Sequence, residues 1–245
     1  DPNSPHQVVL VESELSEGEH AGAIFSNSPT LVDGGIYRIS FRATDAAGNE
    51  AETVRINGIL FDSIKPVITL NSPESPINTK TLDIDYTLSE KLSTATATWT
   101  RISGNTDSQS PRIIEFSVPE KEEGNRKGIL LNQTSLVDGG IYTLTLNGSD
   151  AAGNKADEIS VSGVKFDISP PIFSAINPIE GYTNGKTFSY NIDETIISGE
   201  IVFKNAPGNN AIRDGGAPHT VILSGQELIK GPHESIDLTN PPTLV

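Results

Sequence analysis

The sequence predicts an all-β chain of two-sheet antiparallel sandwiches, one complete copy flanked by two partial ones. Three observations predict it. Glycine and proline supply 22 and 16 of the 245 residues, against 35% hydrophobic and 6% aromatic residues, a balance that suits short strands joined by many turns. Apolar residues alternate with period two, and no stretch carries a long helical stripe. Most decisively, the chain repeats itself. LVDGGIYRISFRATDAAGN at 31–49 returns as LVDGGIYTLTLNGSDAAGN at 136–154, an offset of 105, and GILFDSIKP at 58–66 returns as GVKFDISPP at 163–171. Pro5, Pro111 and Pro218 open three further related stretches. A repeat must be found before elements are placed, because each copy is one structural unit.

Within the complete copy, seven strands are expected, at 67–70, 81–88, 94–100, 112–118, 128–131, 141–149 and 158–165. The turn signals NSPE, SEK, SGNTD, PEKEEGN, VDGG and DAAGN separate them. Tyr142, Leu144 and Leu146 alternate with Thr143, Thr145 and Asn147, as Tyr37, Ile39 and Phe41 do with Arg38, Ser40 and Arg42. One face of each strand is therefore buried and the other wet. Beyond DAAGN the apolar parity slips at Gly58 and at Gly163. A β-bulge is expected at both, since glycine takes the positive φ that an inserted residue needs. Seven short strands without helices point to two packed antiparallel sheets.

Acidic residues outnumber basic ones 32 to 17, for a net charge of -15, which repels phosphate backbones and anionic headgroups. No nucleic-acid partner is expected. Cysteine is absent, which removes disulfides, thiolate nucleophiles and cysteine-bound zinc together. No run approaches the roughly 18 apolar residues that span a bilayer, so this segment is not expected to insert into a membrane. The first residues lack a signal-peptide pattern, and with no Met the chain is expected to be a piece of something longer. No GxSxG, HExxH or P-loop is present, so no enzymatic activity is expected.

The motif Asp33-x-Gly35-x-Tyr37, repeated as Asp138-x-Gly140-x-Tyr142 and preceded by Leu31 and Leu136, resembles the tyrosine corner of immunoglobulin-like domains. With the DAAGN hairpin and the FD-x-x-x-P linker added, the chain is similar to the tandem bacterial Ig-like repeats of large surface proteins. The resemblance implies seven-stranded Ig-like sandwiches in which Tyr142 points inward and bonds back to backbone near the preceding turn. Tyr142→Phe would then cost one buried hydrogen bond. Trp99, with Phe203 in the third copy, would be the core aromatic, beside Leu136, Ile84, Leu144 and Val161. Ile39 and Leu144 stand where antibody-type domains carry Cys, so apolar packing alone must hold the sheets.

In this register FD closes one domain and the next Pro opens another. Residues 1–64 become a partial copy holding the C-terminal strands, 65–169 the complete copy, and 170–245 a partial copy holding the N-terminal strands. Neither partial copy can complete its own sandwich, so both are expected to be frayed or completed by a neighbouring chain. The resemblance also implies a non-catalytic spacer on the bacterial cell surface, whose partners are the neighbouring Ig-like domains of the same polypeptide. The alternative is an adhesin or carbohydrate-binding module with a protein or glycan ligand. Phe116, Tyr182 and Phe173 are the aromatics that the repeat does not place inside.

In such a sandwich the loops after the second and sixth strands face the incoming linker, which brings Asp62, Glu90, Asp150 and Asn154 together. An oxygen-only set of this kind suits Ca²⁺. The second junction repeats half of it, Asp167 with Asp193 or Glu194. The same residues also have a metal-free reading, in which Asp45 and Asp150 close Asx-type turns and Gly48 and Gly153 supply the left-handed residue. His6, His20, His219 and His233 are replaced by Arg112 and Arg126 in the middle copy, and are expected to be surface positions rather than ligands.

Overall fold

The structure is a computed structural model that describes residues 1–22, 24–25, 27–130, 135–179, 187–205 and 214–237. Its strands are β1 (Ile36–Phe41), β2 (Val54–Leu60), β3 (Ile68–Ser72), β4 (Ile77–Thr79), β5 (Asp83–Leu88), β6 (Thr94–Gly104), β7 (Arg112–Glu115), β8 (Gly124–Leu130), β9 (Gly140–Ser149) and β10 (Ile159–Phe166). They continue with β11 (Phe173–Asn177), β12 (Thr187–Ile192), β13 (Glu200–Phe203), β14 (His219–Ile222) and β15 (Gly231–Asp237). Among the described residues the helical structure is limited to single 3-10 turns at Glu12–Leu15, Pro119–Lys121 and Gly225–Leu228. The chain is thus all-β, and it divides into two units, Asp1–Ile168 and Ser169–Val245.

In the first unit β4-β10-β9-β6-β7 form a five-stranded sheet and β3-β5-β8 a three-stranded one. Both sheets feed one core. Ile84, Tyr86 and Leu88 come from β5, Trp99 from β6, Leu144 and Leu146 from β9 and Val164 from β10, with Leu136 before β9. Val161 is half-buried against them. Each large side chain of this kind contributes about 1.5–3 kcal/mol by leaving water. Trp99 meets Tyr142 edge to face at 6.4 Å, the arrangement that ring quadrupoles favour.

The parity slip is a bulge. Thr143 faces Ser162 and Tyr142 faces Val164, which leaves Gly163 as the extra residue at φ 78°. The β1–β2 hairpin is offset at the same place, with Gly58 at φ 74°. Several elements differ from expectation. β6 runs on to Gly104, where SGNTD reads as a turn, because Ser103 and Gly104 pair with Ile141 and Gly140 of β9, and β7 ends at Glu115 rather than 118. β4 was not anticipated, because Pro73 and Pro76 make its surroundings read as turn; it pairs in parallel with β10, Ile77 opposite Val164. β8 starts at Gly124, where EEGN reads as a turn, since Gly124 and Asn125 pair with Leu88 and Thr87 of β5.

Upstream of residue 62, β1 and β2 form a sheet of their own. Ile39 is 42% exposed and Phe41 46%, whereas Leu144 and Leu146, their counterparts in β9, are fully buried. The alternation is the same in both hairpins, and among the described residues only the second has a facing sheet to cover it. The second unit holds the sheets β11-β12-β15 and β13-β14. They enclose a smaller core of Tyr190, Ile192, Val221 and Leu223, with Phe188 and Phe203 packed against it.

Candidate functional site

The DAAGN turn is built by its first residue. Asp150 Oδ1 accepts the backbone N–H groups of Gly153 (2.8 Å) and Asn154 (2.9 Å), and Oδ2 accepts the Asn154 side-chain amide (2.8 Å). Asp45 makes the same closure with the N–H groups of Ala47 (2.9 Å) and Asn49 (2.8 Å) and with the Asn49 amide (2.8 Å). This is the Asx chemistry that makes Asp a turn former. Burial works to raise the Asp150 carboxyl, but the bonds from Asn154 and Gly153 outweigh it and hold the group below the ordinary carboxylate range.

The four residues singled out in the sequence do meet at this turn. Carboxylate oxygens of Asp62, Glu90 and Asp150 lie within 4.8 Å of one another, with Asp150 buried and the other two half-buried. Burial, followed by the charges of Asp62, Asp150 and Asp33, pushes the Glu90 carboxyl above its usual value. Three like charges this close favour either a proton or a cation. Oxygen donors alone fit a hard cation such as Ca²⁺, to which the three carboxylates would be the ligands. Asn154, the fourth expected ligand, is joined to the cluster through its amide nitrogen. Its Nδ2 donates to the Asp62 carbonyl at 3.1 Å as well as to Asp150, so it fastens the linker to the turn.

Other contacts fix the same linker. Lys65 Nζ lies 2.9 Å from Asp157, an exposed pair worth little by itself, and the Val67 N–H donates to Ser89 Oγ at 2.8 Å. Asp33 Oδ1 accepts the Ser63 N–H at 2.7 Å, and Asp138 Oδ1 accepts the Ile168 N–H at 2.7 Å. The aspartate of the Asp-x-Gly-x-Tyr motif is therefore an anchor for the segment that leaves each FD. Asp167 and Asp193 are each engaged in their own unit, by Lys165 and by the Ile172 N–H respectively.

A second constellation escaped the sequence reading. Asp107 accepts Arg112 Nε (2.8 Å) and Nη2 (2.9 Å), the Gln109 N–H (2.9 Å) and the Tyr142 hydroxyl (3.0 Å). The Arg112 bonds are the main reason that its carboxyl is held down at about 2, against the opposing effect of burial. The Tyr142 hydroxyl in turn accepts the Val137 N–H at 2.9 Å. Upstream, His6 lies 2.6 Å from Asp1, which also accepts the Tyr37 hydroxyl at 2.6 Å. In the second unit His219 lies 2.6 Å from Asp214. His6 and His219 are thus half-buried partners of an aspartate five residues before them, rather than surface positions. The signal was present, since Asp1, Asp107 and Asp214 each stand four residues before Pro5, Pro111 and Pro218.

Of the aromatics considered for a ligand platform, Phe116 is buried and packs against Tyr86 at 5.1 Å. Phe173 is partly exposed beside Tyr190, and Tyr182 lies outside the described residues. Among the described residues no helix is long and apolar enough to cross a membrane. No protein-family profile and no curated protein sequence matches the chain.

Proposed function

We propose that the chain is a non-catalytic spacer of a bacterial extracellular or cell-surface protein, made of tandem Ig-like domains that hold a distal module away from the cell. The observation that carries this reading is the fastening of the linker between the first hairpin and the complete sandwich. Asn154 bonds the Asp62 carbonyl, Lys65 pairs with Asp157 and Val67 is held by Ser89. A binding module needs an open face, whereas a spacer needs joints that resist bending, and residues 62–67 are equipped for the second task. The carboxylates of Asp62, Glu90 and Asp150 supply the same joint with a Ca²⁺ clamp in a calcium-rich exterior.

The joint is tested by spin labels on Glu52→Cys and Thr100→Cys, since the chain has no other cysteine. A narrow distance distribution that broadens with Asn154→Ala is expected; an equally broad distribution in both proteins would refute the joint. Glu90→Gln tests the clamp. In EDTA it should raise the melting temperature by removing like-charge repulsion, and in millimolar Ca²⁺ it should lower it by removing a ligand. A melt that ignores Ca²⁺ in the unsubstituted chain excludes the cation and leaves the hydrogen-bonded joint standing.

A further inference from the structure

We infer that the outward face of the β1–β2 hairpin binds an anionic polysaccharide, one that carries carboxylate or sulfate groups. The inference stands on this face alone and not on the spacer reading. Upstream of Lys65 the sequence holds three Lys or Arg residues, Arg38, Arg42 and Arg55, against a large excess of Asp and Glu. All three fall on one side of one hairpin. Ser40 pairs with Arg55 and Phe41 with Val54. By period-two alternation Arg38, Ser40 and Arg42 then share a face with Thr53, Arg55 and Asn57, opposite to the side of Tyr37, Ile39 and Phe41. None of these six positions holds a carboxylate. Arg55 sits diagonally between Arg38 and Arg42, about 7–8 Å from each across the ladder. The three arginines are exposed, and none forms an ion pair or side-chain hydrogen bond with another described residue.

Like charges on facing strands repel, and the fold does not require them. At the offset of 105 the complete sandwich carries Thr143, Asn147 and Ser160 in the same places. There the face is open as well: Ser160 is exposed and Thr143 and Asn147 are half-buried, although a second sheet covers the other side. Openness is thus a property of this side of the sheet. Three unpaired guanidinium groups at a repulsive cost call for an external anion. Their planar forks take a carboxylate, or two oxygens of a sulfate, through parallel bonds. Ser40, Thr53 and Asn57 lie among them with hydroxyl and amide groups that both donate and accept, which suits the ring hydroxyls of a sugar. A duplex or a membrane surface presents a broad negative field that the net charge of -15 repels. An acidic peptide adds to a sheet edge rather than to its face. A narrow glycan strand stays within a Debye length, about 8 Å, of the arginines and is screened from the rest of the chain.

The test is fluorescence anisotropy of the full chain with labelled heparin oligosaccharides, which carry sulfate and carboxylate, with polygalacturonate, which carries carboxylate alone, and with neutral dextran. At least one anionic glycan should bind, dextran should not, and added salt should weaken the binding. Arg38→Thr with Arg42→Asn and Arg55→Ser installs the residues of the complete sandwich. It should weaken binding at least about tenfold with an unchanged circular-dichroism spectrum. Lys80→Ser with Lys127→Ser and Lys155→Ser removes the same charge elsewhere and should bind like the parent. Should the triple arginine variant lose its β spectrum, Arg55→Ser alone carries the test and should weaken binding where Lys127→Ser does not. No binding of either anionic glycan, an arginine variant that binds like the parent, a lysine variant weakened as much, or polyglutamate bound more tightly than both glycans overturns the inference.

Discussion

Replacing Tyr142 by Phe removes one oxygen and tests the most connected polar atom of the complete sandwich. That oxygen accepts the Val137 N–H and donates to Asp107, so two hydrogen bonds are lost rather than the one expected of a tyrosine corner. A neutral bond is worth about 1 kcal/mol and one to a charged group about 1.5–3 kcal/mol. Asp107 keeps Arg112 and Gln109, which places its share at the low end. The phenyl ring still fills its place against Trp99, so no cavity is added. The expected loss is about 2–3 kcal/mol, or roughly 10–20 °C in a unit of about 100 residues. Trp99 is the chain's sole tryptophan and is fully buried in the same core, so its fluorescence in a urea titration reads this sandwich and no other part. The slope with denaturant should stay constant while the midpoint falls. In an Asp107→Ala background the same substitution should cost at least about 0.5 kcal/mol less, since the two groups share a bond. A loss below about 0.5 kcal/mol, or full additivity with Asp107→Ala, would refute the network.

The acid limb of stability should carry the mark of Asp107. Its folded value is held at about 2, below the ordinary carboxylate range, first by the Arg112 bonds, so its contribution is complete above about pH 4 and is lost as pH falls towards 2. That contribution is on the order of 1–2 kcal/mol after screening at the Arg112 side, and the stability gap between the parent chain and Asp107→Asn should close across that window; a gap that stays constant from pH 6 to pH 2 would contradict it. Gly140→Ala should destabilise the same sandwich by about 1–3 kcal/mol through overpacking. A Cβ there would lie 2.6 Å from Tyr142 Cε2 and 2.9 Å from the Val137 carbonyl oxygen, and an unchanged urea midpoint would show that the ring moves aside at no cost.

Much of this was legible because the informative residues are local. The period-two alternation of residues 141–149 and the parity slip at Gly163 are backbone instructions that need no distant partner to be read. The gathering of Asp62, Glu90, Asp150 and Asn154 followed from topology, since two loops and a linker must share one end of a sandwich. What could not be read is what depends on direction. Asn154 was placed correctly, but whether it offers its oxygen or its amide is decided by Asp62 and Asp150, which take the amide. β4 was hidden because its neighbours are prolines, and it is a strand only because β10 passes alongside. The aspartates at 1, 107 and 214 recur with the repeat, yet composition gives no sign that the Arg or His following each of them turns back onto it.

The three related sequence stretches separate local from distant causes in a way that one could not. Glu14, Glu120 and Glu227 each accept a backbone N–H three residues earlier, from Val11, Ser117 and Ser224. Each of these closures lies within or beside one of the 3-10 turns. Likewise Asp1, Asp107 and Asp214 each accept the N–H two residues later. These closures form in every copy because all their partners lie within a few residues. The strands behave otherwise. Residues 112–115 form β7 against β6 and 219–222 form β14 against β13, while the equivalent stretch from His6 to Val9 is not a strand. Short-range closure is thus written into each copy, and strand identity is conferred by a neighbour.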